Sequence, residues 1–189
     1  MSWWRSIFGN RADRIAVPDG LELAAGERPV AVARDNADGT VIATTYRLVA
    51  VPADATTPTL ARPWHLVDTG AWRPETQVLS VSWVDHEPPS AWELAVAGAL
   101  PVAFRERVQA SVVLVEQVSL GRHRRARVAV RKDLATGDLT VQAVYARGSD
   151  PSDQELATAV QEAADRLGEQ AGLGDGGGSN SAGRSPVSD

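Results

Sequence analysis

The sequence predicts an α+β, mainly β fold: an antiparallel sheet or split barrel of about seven strands with a C-terminal helix. Three observations carry this. Period-two runs of β-prone residues follow one another with short turns between them. One long stretch near the end carries a helical stripe. The chain of 189 residues, 43% hydrophobic and 23% charged, has the size of one domain plus tails.

Period-two patterning begins near Arg28. Val30 and Val32 alternate with Ala31 and Ala33, Asp35 to Gly39 supplies a turn, and Thr40 to Thr44 leads back. Asp-Gly between two β-prone runs is a strong hairpin signal. Tyr46 to Val51 continues the meander, and Pro52 to Pro58 is a loop. Trp64 to Val67 and Ala71-Trp72 read as one strand broken at Asp68-Thr69-Gly70, and Val78 to Val84 alternates most clearly.

After Pro88-Pro89, Trp92 to Val96 and Val102 to Gln109 read as helical. Ser111 to Val118, Arg127 to Arg131 and Leu139 to Tyr145 return to β-prone composition. The final helix has Asp150 as expected N-cap and Pro151 at its first position, where a missing N–H costs nothing. Asp153 and Glu155 suit the positive end of its dipole. Leu156, Val160, Ala163 and Leu167, spaced four, three and four, mark one face packed against a core.

Three regions follow: an N-terminal arm with an aromatic segment, 1–25, a folded domain, 26–172, and a Gly/Ser-rich tail, 173–189, expected to be disordered. In the arm, Trp3, Trp4, Ile7 and Phe8 fall on one side of a short helix. They are candidate residues for contact with a membrane or a partner, tryptophan being suited to the headgroup level. The alternative is a segment folded back on the domain. The arm lacks the cleavage site of a secretory signal, and no run of 18 apolar residues spans a membrane.

Composition excludes several chemistries. With no cysteine there is no disulfide, thiol nucleophile or Cys-based metal site. No Gly-x-Ser-x-Gly, phosphate-cradling loop or His-Glu-x-x-His occurs. His65, His86 and His123 are far apart in sequence, so no metal site is expected. Asp85 and Glu87 flank His86, but three polar residues before Pro88-Pro89 read as a solvated strand exit. The chain is expected not to be an enzyme and to need no cofactor. A net charge of −5, from 19 basic and 24 acidic residues, argues against nucleic acid as partner.

One basic cluster stands out. Arg122, His123, Arg124 and Arg125, extended by Arg127, Arg131 and Lys132, run without an acidic residue between Gly121 and Lys132. On a strand, Arg125, Arg127 and Arg131 share a face with Ala129. Arg122, Arg124, Arg125 and Arg127 are the candidate residues for binding an anion or a partner. The competing reading is a solvated hairpin whose arginines pair with acidic helix residues such as Asp153 or Glu162. Trp64, Trp72 and Trp83 are expected to pack on the sheet, and Trp92 to staple a helical segment to it.

The segments GERPVAVARDNADGTVIATTYRLVAV and RPWHLVDTGAWRPETQVLSVSWVD resemble the opening of bacterial PH-like (GRAM-like) domains. LPVAFRERVQASVVLVEQVSLG, RARVAVRKD, TGDLTVQAVYARG and the last helix are similar to a family of uncharacterised actinobacterial proteins. The resemblance implies a PH-like split barrel and an interaction role. The lipid-binding loop of such domains joins the first two strands. Here that turn is the acidic Asp35 to Gly39, so the family's lipid site does not carry over. The expectation is a noncatalytic, cytoplasmic interaction module, peripheral to the inner face of the membrane. Its partner is an unknown protein or an anionic lipid headgroup. The alternative is a small-molecule-binding protein or enzyme using the concave face of the sheet.

Overall fold

A computed structural model describes residue 18 and residues 21–173. The chain divides into two compact units, residues 1–112 with 132–138, and residues 113–131 with 139–189. The residues of the aromatic arm, Trp3, Trp4, Ile7 and Phe8, lie outside the described residues, as does the tail from residue 174 onward.

The first unit holds strands β1 (Pro29–Asp35), β2 (Thr40–Thr44), β3 (Arg47–Val51), β4 (Leu60–Pro63), β5 (Val67–Arg73), β6 (Val78–Trp83) and β7 (Ser90–Val96). A single 3-10 turn, Trp64–Leu66, precedes β5, and helix α1 (Leu100–Ala110) follows β7. The strands form one antiparallel sheet in the order β4-β3-β2-β1-β7-β6-β5. The expected hairpin forms at Asp35 to Gly39, where the Asp35 carboxylate accepts the Ala37 and Gly39 N–H groups at 2.9 and 2.8 Å.

The core of this unit gathers Leu48, Leu79, Val81 and Leu94 from the sheet, Trp64 from the 3-10 turn, and Leu100 and Phe104 from α1. Trp64 and Phe104 meet edge to face, ring centroids 5.8 Å apart. Trp72 and Trp92 pack on this core from partly buried positions. Pro101 sits in the first turn of α1, where it forfeits no helical hydrogen bond.

Glu27 is buried, yet it is a charged group with a complete set of partners. Its Oε1 accepts the Thr44 hydroxyl at 2.7 Å and Arg47 Nε at 2.8 Å, and its Oε2 accepts the Ala24 N–H at 2.9 Å. Burial pushes its carboxyl up, but the Thr44, Ala24 and Arg47 bonds together outweigh it and hold it below the usual value. Lowered in the folded state, this group stabilises above its ordinary value of 4.5 and loses that contribution as pH falls through the folded value. Glu27→Gln is therefore expected to lower the melting midpoint near neutral pH. The gap to wild type should narrow in acid, and a gap independent of pH would contradict the ion pair.

The second unit is smaller. Strands β8 (Val112–Gly121), β9 (Arg124–Lys132) and β10 (Leu139–Tyr145) form a sheet in the order β10-β9-β8, and helix α2 is Gln154–Gln170. Leu156, Val160, Ala163 and Leu167 of α2 are buried with Val118, Ala126, Val128 and Val130. The stripe read from the sequence is thus the packed face.

Four expectations need correction. Among the described residues there are ten strands in two sheets, and the strands of neither sheet close into a barrel. Residues 92–96 belong to β7, because Glu93, Trp92, Ala91 and Ser90 pair with Val78 to Val81 of β6. The strand read from Trp64 begins only at Val67, after the 3-10 turn, and β5 continues through Asp68-Thr69-Gly70 with a register shift between Val67 and Thr69. Gly70 is there because the Phe104 ring occupies the space where any Cβ would lie. The N-cap of α2 is Asp153, which accepts the Leu156 N–H at 3.1 Å, while Asp150 is engaged by Ser152 in the preceding turn.

Candidate functional site

The basic cluster lies at one end of the second unit. Two residues, Arg122 and His123, join β8 to β9, and Gly121 before them has φ +150, which favours glycine. The connection from β10 to α2 closes against the start of β9. Ala146 N donates to the Arg125 carbonyl at 2.9 Å, and the Arg125 N–H donates to Ser149 Oγ at 3.0 Å. That connection brings Arg147, exposed, to the same end as the hairpin.

The four candidate arginines have different fates. Arg124 is committed to its own fold. Its Nε donates to Asp153 Oδ2 at 2.6 Å, while Nη2 donates to Asp153 Oδ1 at 2.9 Å and Glu155 Oε2 at 2.7 Å. Asp153 therefore serves twice, as partner of Arg124 and as cap of α2. The Arg124 bond, with help from the Leu156 N–H, lowers the Asp153 carboxyl to about 2. Arg124 is pushed above its ordinary value by Asp153 and then Glu155. The pairing of the hairpin with Asp153 is as the sequence suggested. Glu162 is not the partner; Glu155 is.

Arg122 and Arg125 are exposed, and neither side chain makes an ion pair with a described residue. Arg127 is half-buried on the face of β9 opposite Ala126 and Val128. The same alternation puts Arg125, Arg127, Ala129 and Arg131 on one side, as read from the sequence. Arg147 was not singled out there. It lies 22 residues beyond Arg125, and the bonds that Arg125 makes with Ala146 and Ser149 bring the two segments together.

The histidines stand apart. His65 Nδ1 lies 3.8 Å from Asp133 Oδ2, His123 is at the hairpin tip, and His86 is in a turn with φ +62. Two concave regions belong to the first unit. A cavity of about 390 Å³ is lined by Asp35, Val51, Pro52, Asp54 and Trp92 among others. One of about 220 Å³ lies beside Arg62, whose guanidinium stacks 4.6 Å from the Trp83 ring centre and pairs with Asp85. No helix among the described residues is long and apolar enough to cross a membrane. Comparison with protein-family models, curated proteins and solved structures finds no match for this chain.

Proposed function

We propose that the protein is a noncatalytic PH-like interaction module that meets anionic lipid headgroups at the inner face of the membrane through the β8–β9 tip. The observation that supports this is the division of labour among the arginines. Arg124 is neutralised by Asp153 and Glu155, whereas Arg122, Arg125 and Arg147 present exposed guanidinium groups at the same end. Guanidinium binds phosphate in a planar, two-pronged geometry. The aromatic arm, Trp3, Trp4, Ile7 and Phe8, is the second contact in this reading.

The PH-like part rests on the first unit. Seven antiparallel strands are followed directly by a helix that buries Leu100, Ala103 and Phe104. In this reading the PH-like domain is residues 26–172, with both sheets and α2 included.

Each basic residue near an anionic surface is worth about 1 kcal/mol. Replacing Arg122, Arg125 and Arg147 together by alanine is expected to weaken binding to vesicles containing anionic lipid by roughly a hundredfold. The difference should fade with added salt, since exposed charges are screened over about 8 Å at physiological ionic strength. Arg124 is left in place, because its loss would also disturb the start of α2. Co-sedimentation at low salt reads the effect. Equal binding by wild type and the triple variant would overturn the reading.

A further inference from the structure

The cavity of about 390 Å³ in the first unit has walls of one charge sign. Asp35 and Asp54 line it, and no lysine, arginine or histidine does. They come from two connections, Asp35 from the turn between β1 and β2 and Asp54 from the loop between β3 and β4. Ala50, Val51 and Pro52 supply an apolar wall, and Trp92 of β7, half-buried, supplies an indole. Arg34, next to Asp35 in the chain, pairs with Asp38 at 3.8 Å and is not part of the lining. The Asp35 carboxylate is held in place but only half used. Its Oδ1 accepts the Ala37 and Gly39 N–H groups, whereas its Oδ2 has no hydrogen bond or ion pair with a described residue. Gly39 leaves that oxygen its room, since a Cβ on residue 39 would lie 2.8 Å from it.

We propose that this cavity binds a small organic ammonium ion, a protonated or methylated amine on a short apolar chain. The charge lies against Asp35 and the Trp92 ring, and the chain runs along Ala50, Val51 and Pro52. Each wall selects for this class. Carboxylates in a concave surface without a base draw a cation. The tryptophan face attracts a cation more strongly than any other side-chain ring. The apolar wall favours a carbon skeleton over a hydrated inorganic ion. A metal ion is the poorer fit, because no group of three or more His, Asp or Glu side chains among the described residues could hold one. The volume lies in the range of small-molecule sites, roughly 300–1,000 Å³. The inference stands independently of lipid binding, which concerns the second unit.

The test titrates full-length protein with butylammonium and with choline, against their neutral counterparts butan-1-ol and 3,3-dimethylbutan-1-ol. Calorimetry and saturation-transfer NMR read the binding. Both cations are expected to bind in the millimolar range, and the alcohols roughly tenfold more weakly. Asp35→Asn keeps an oxygen for the Ala37 and Gly39 N–H groups and should lose roughly tenfold in affinity for both cations. Trp92→Leu should weaken choline by a similar factor. Asp38→Asn, on the same turn but outside the lining, should bind as wild type. Far-UV circular dichroism checks each fold, and Asp54→Asn, in an exposed loop, probes the same wall should Asp35→Asn unfold. Equal binding of cations and alcohols would overturn the proposal, as would no saturation transfer to either cation. So would an equal loss in Asp38→Asn and Asp35→Asn, which would mark a diffuse acidic surface.

Discussion

Leu156→Asp is expected to disrupt the three-stranded unit. Leu156 is fully buried, packed with Val128, Val130, Val160 and Leu167 in the core that joins α2 to its sheet. A carboxylate placed there has no partner among those aliphatic side chains, and burying it uncompensated costs several kcal/mol. That is a large share of a total stability of about 5–15 kcal/mol. Nor does α2 survive without its sheet, since helices of this length draw most of their stability from packing. Thermal unfolding followed by far-UV circular dichroism should show a much lower midpoint. Thr158→Asp, an exposed position on the same helix, is the control and should change stability by less than about 0.5 kcal/mol. A midpoint unchanged by Leu156→Asp would show α2 to be peripheral.

Trp64→Ala is the second large effect. Trp64 is also fully buried, its Nε1 donates to the Thr44 carbonyl at 3.0 Å, and its ring meets Phe104 edge to face. Truncation removes the ring's burial and leaves a cavity, a loss of about 3–5 kcal/mol for an aromatic in a core. Trp64→Phe should lose less, retaining part of the volume and losing the bond to Thr44, worth about 1–3 kcal/mol when a buried acceptor is left unsatisfied. Chemical denaturation followed by tryptophan fluorescence reads this, because all six tryptophans lie between residues 3 and 92. Equal stability of wild type and Trp64→Ala would remove Trp64 from the core of the first unit.

Much of the local structure was legible because it rests on local rules. Val78 to Trp83 alternates and is β6, with Leu79, Val81 and Trp83 buried. Asp35 to Gly39 forms its turn with bonds that span four residues or fewer. The apolar stripe of α2 faces a core. Where the reading failed, distant residues decided. Trp92 to Val96 suits a helix or a strand equally well, and the vacant place beside β6 made it a strand. Gly70 looked like a strand break. Seen with Phe104, 34 residues later, it is the one residue type that lets β5 pass beneath a ring.

The candidate site divides in the same way. A run of arginines without an intervening acid was visible in the sequence, and so was Asp153 as a possible counter-charge. Which arginine is neutralised was not, because that depends on the N-terminus of α2 meeting the hairpin, 29 residues apart in sequence. Arg147 entered through the hydrogen bonds that tie Ala146 and Ser149 to Arg125. The sequence by itself determined the mainly β class, the hairpin at Asp35 to Gly39 and the buried stripe of α2, since periodicity and turn chemistry act over a few residues. Only the tertiary structure decided the partition into two sheets, the strand identity of β7 and the passage of β5 at Gly70. Those depend on which strand lies beside which, and long-range pairing carries no signature in the spacing of neighbouring residues.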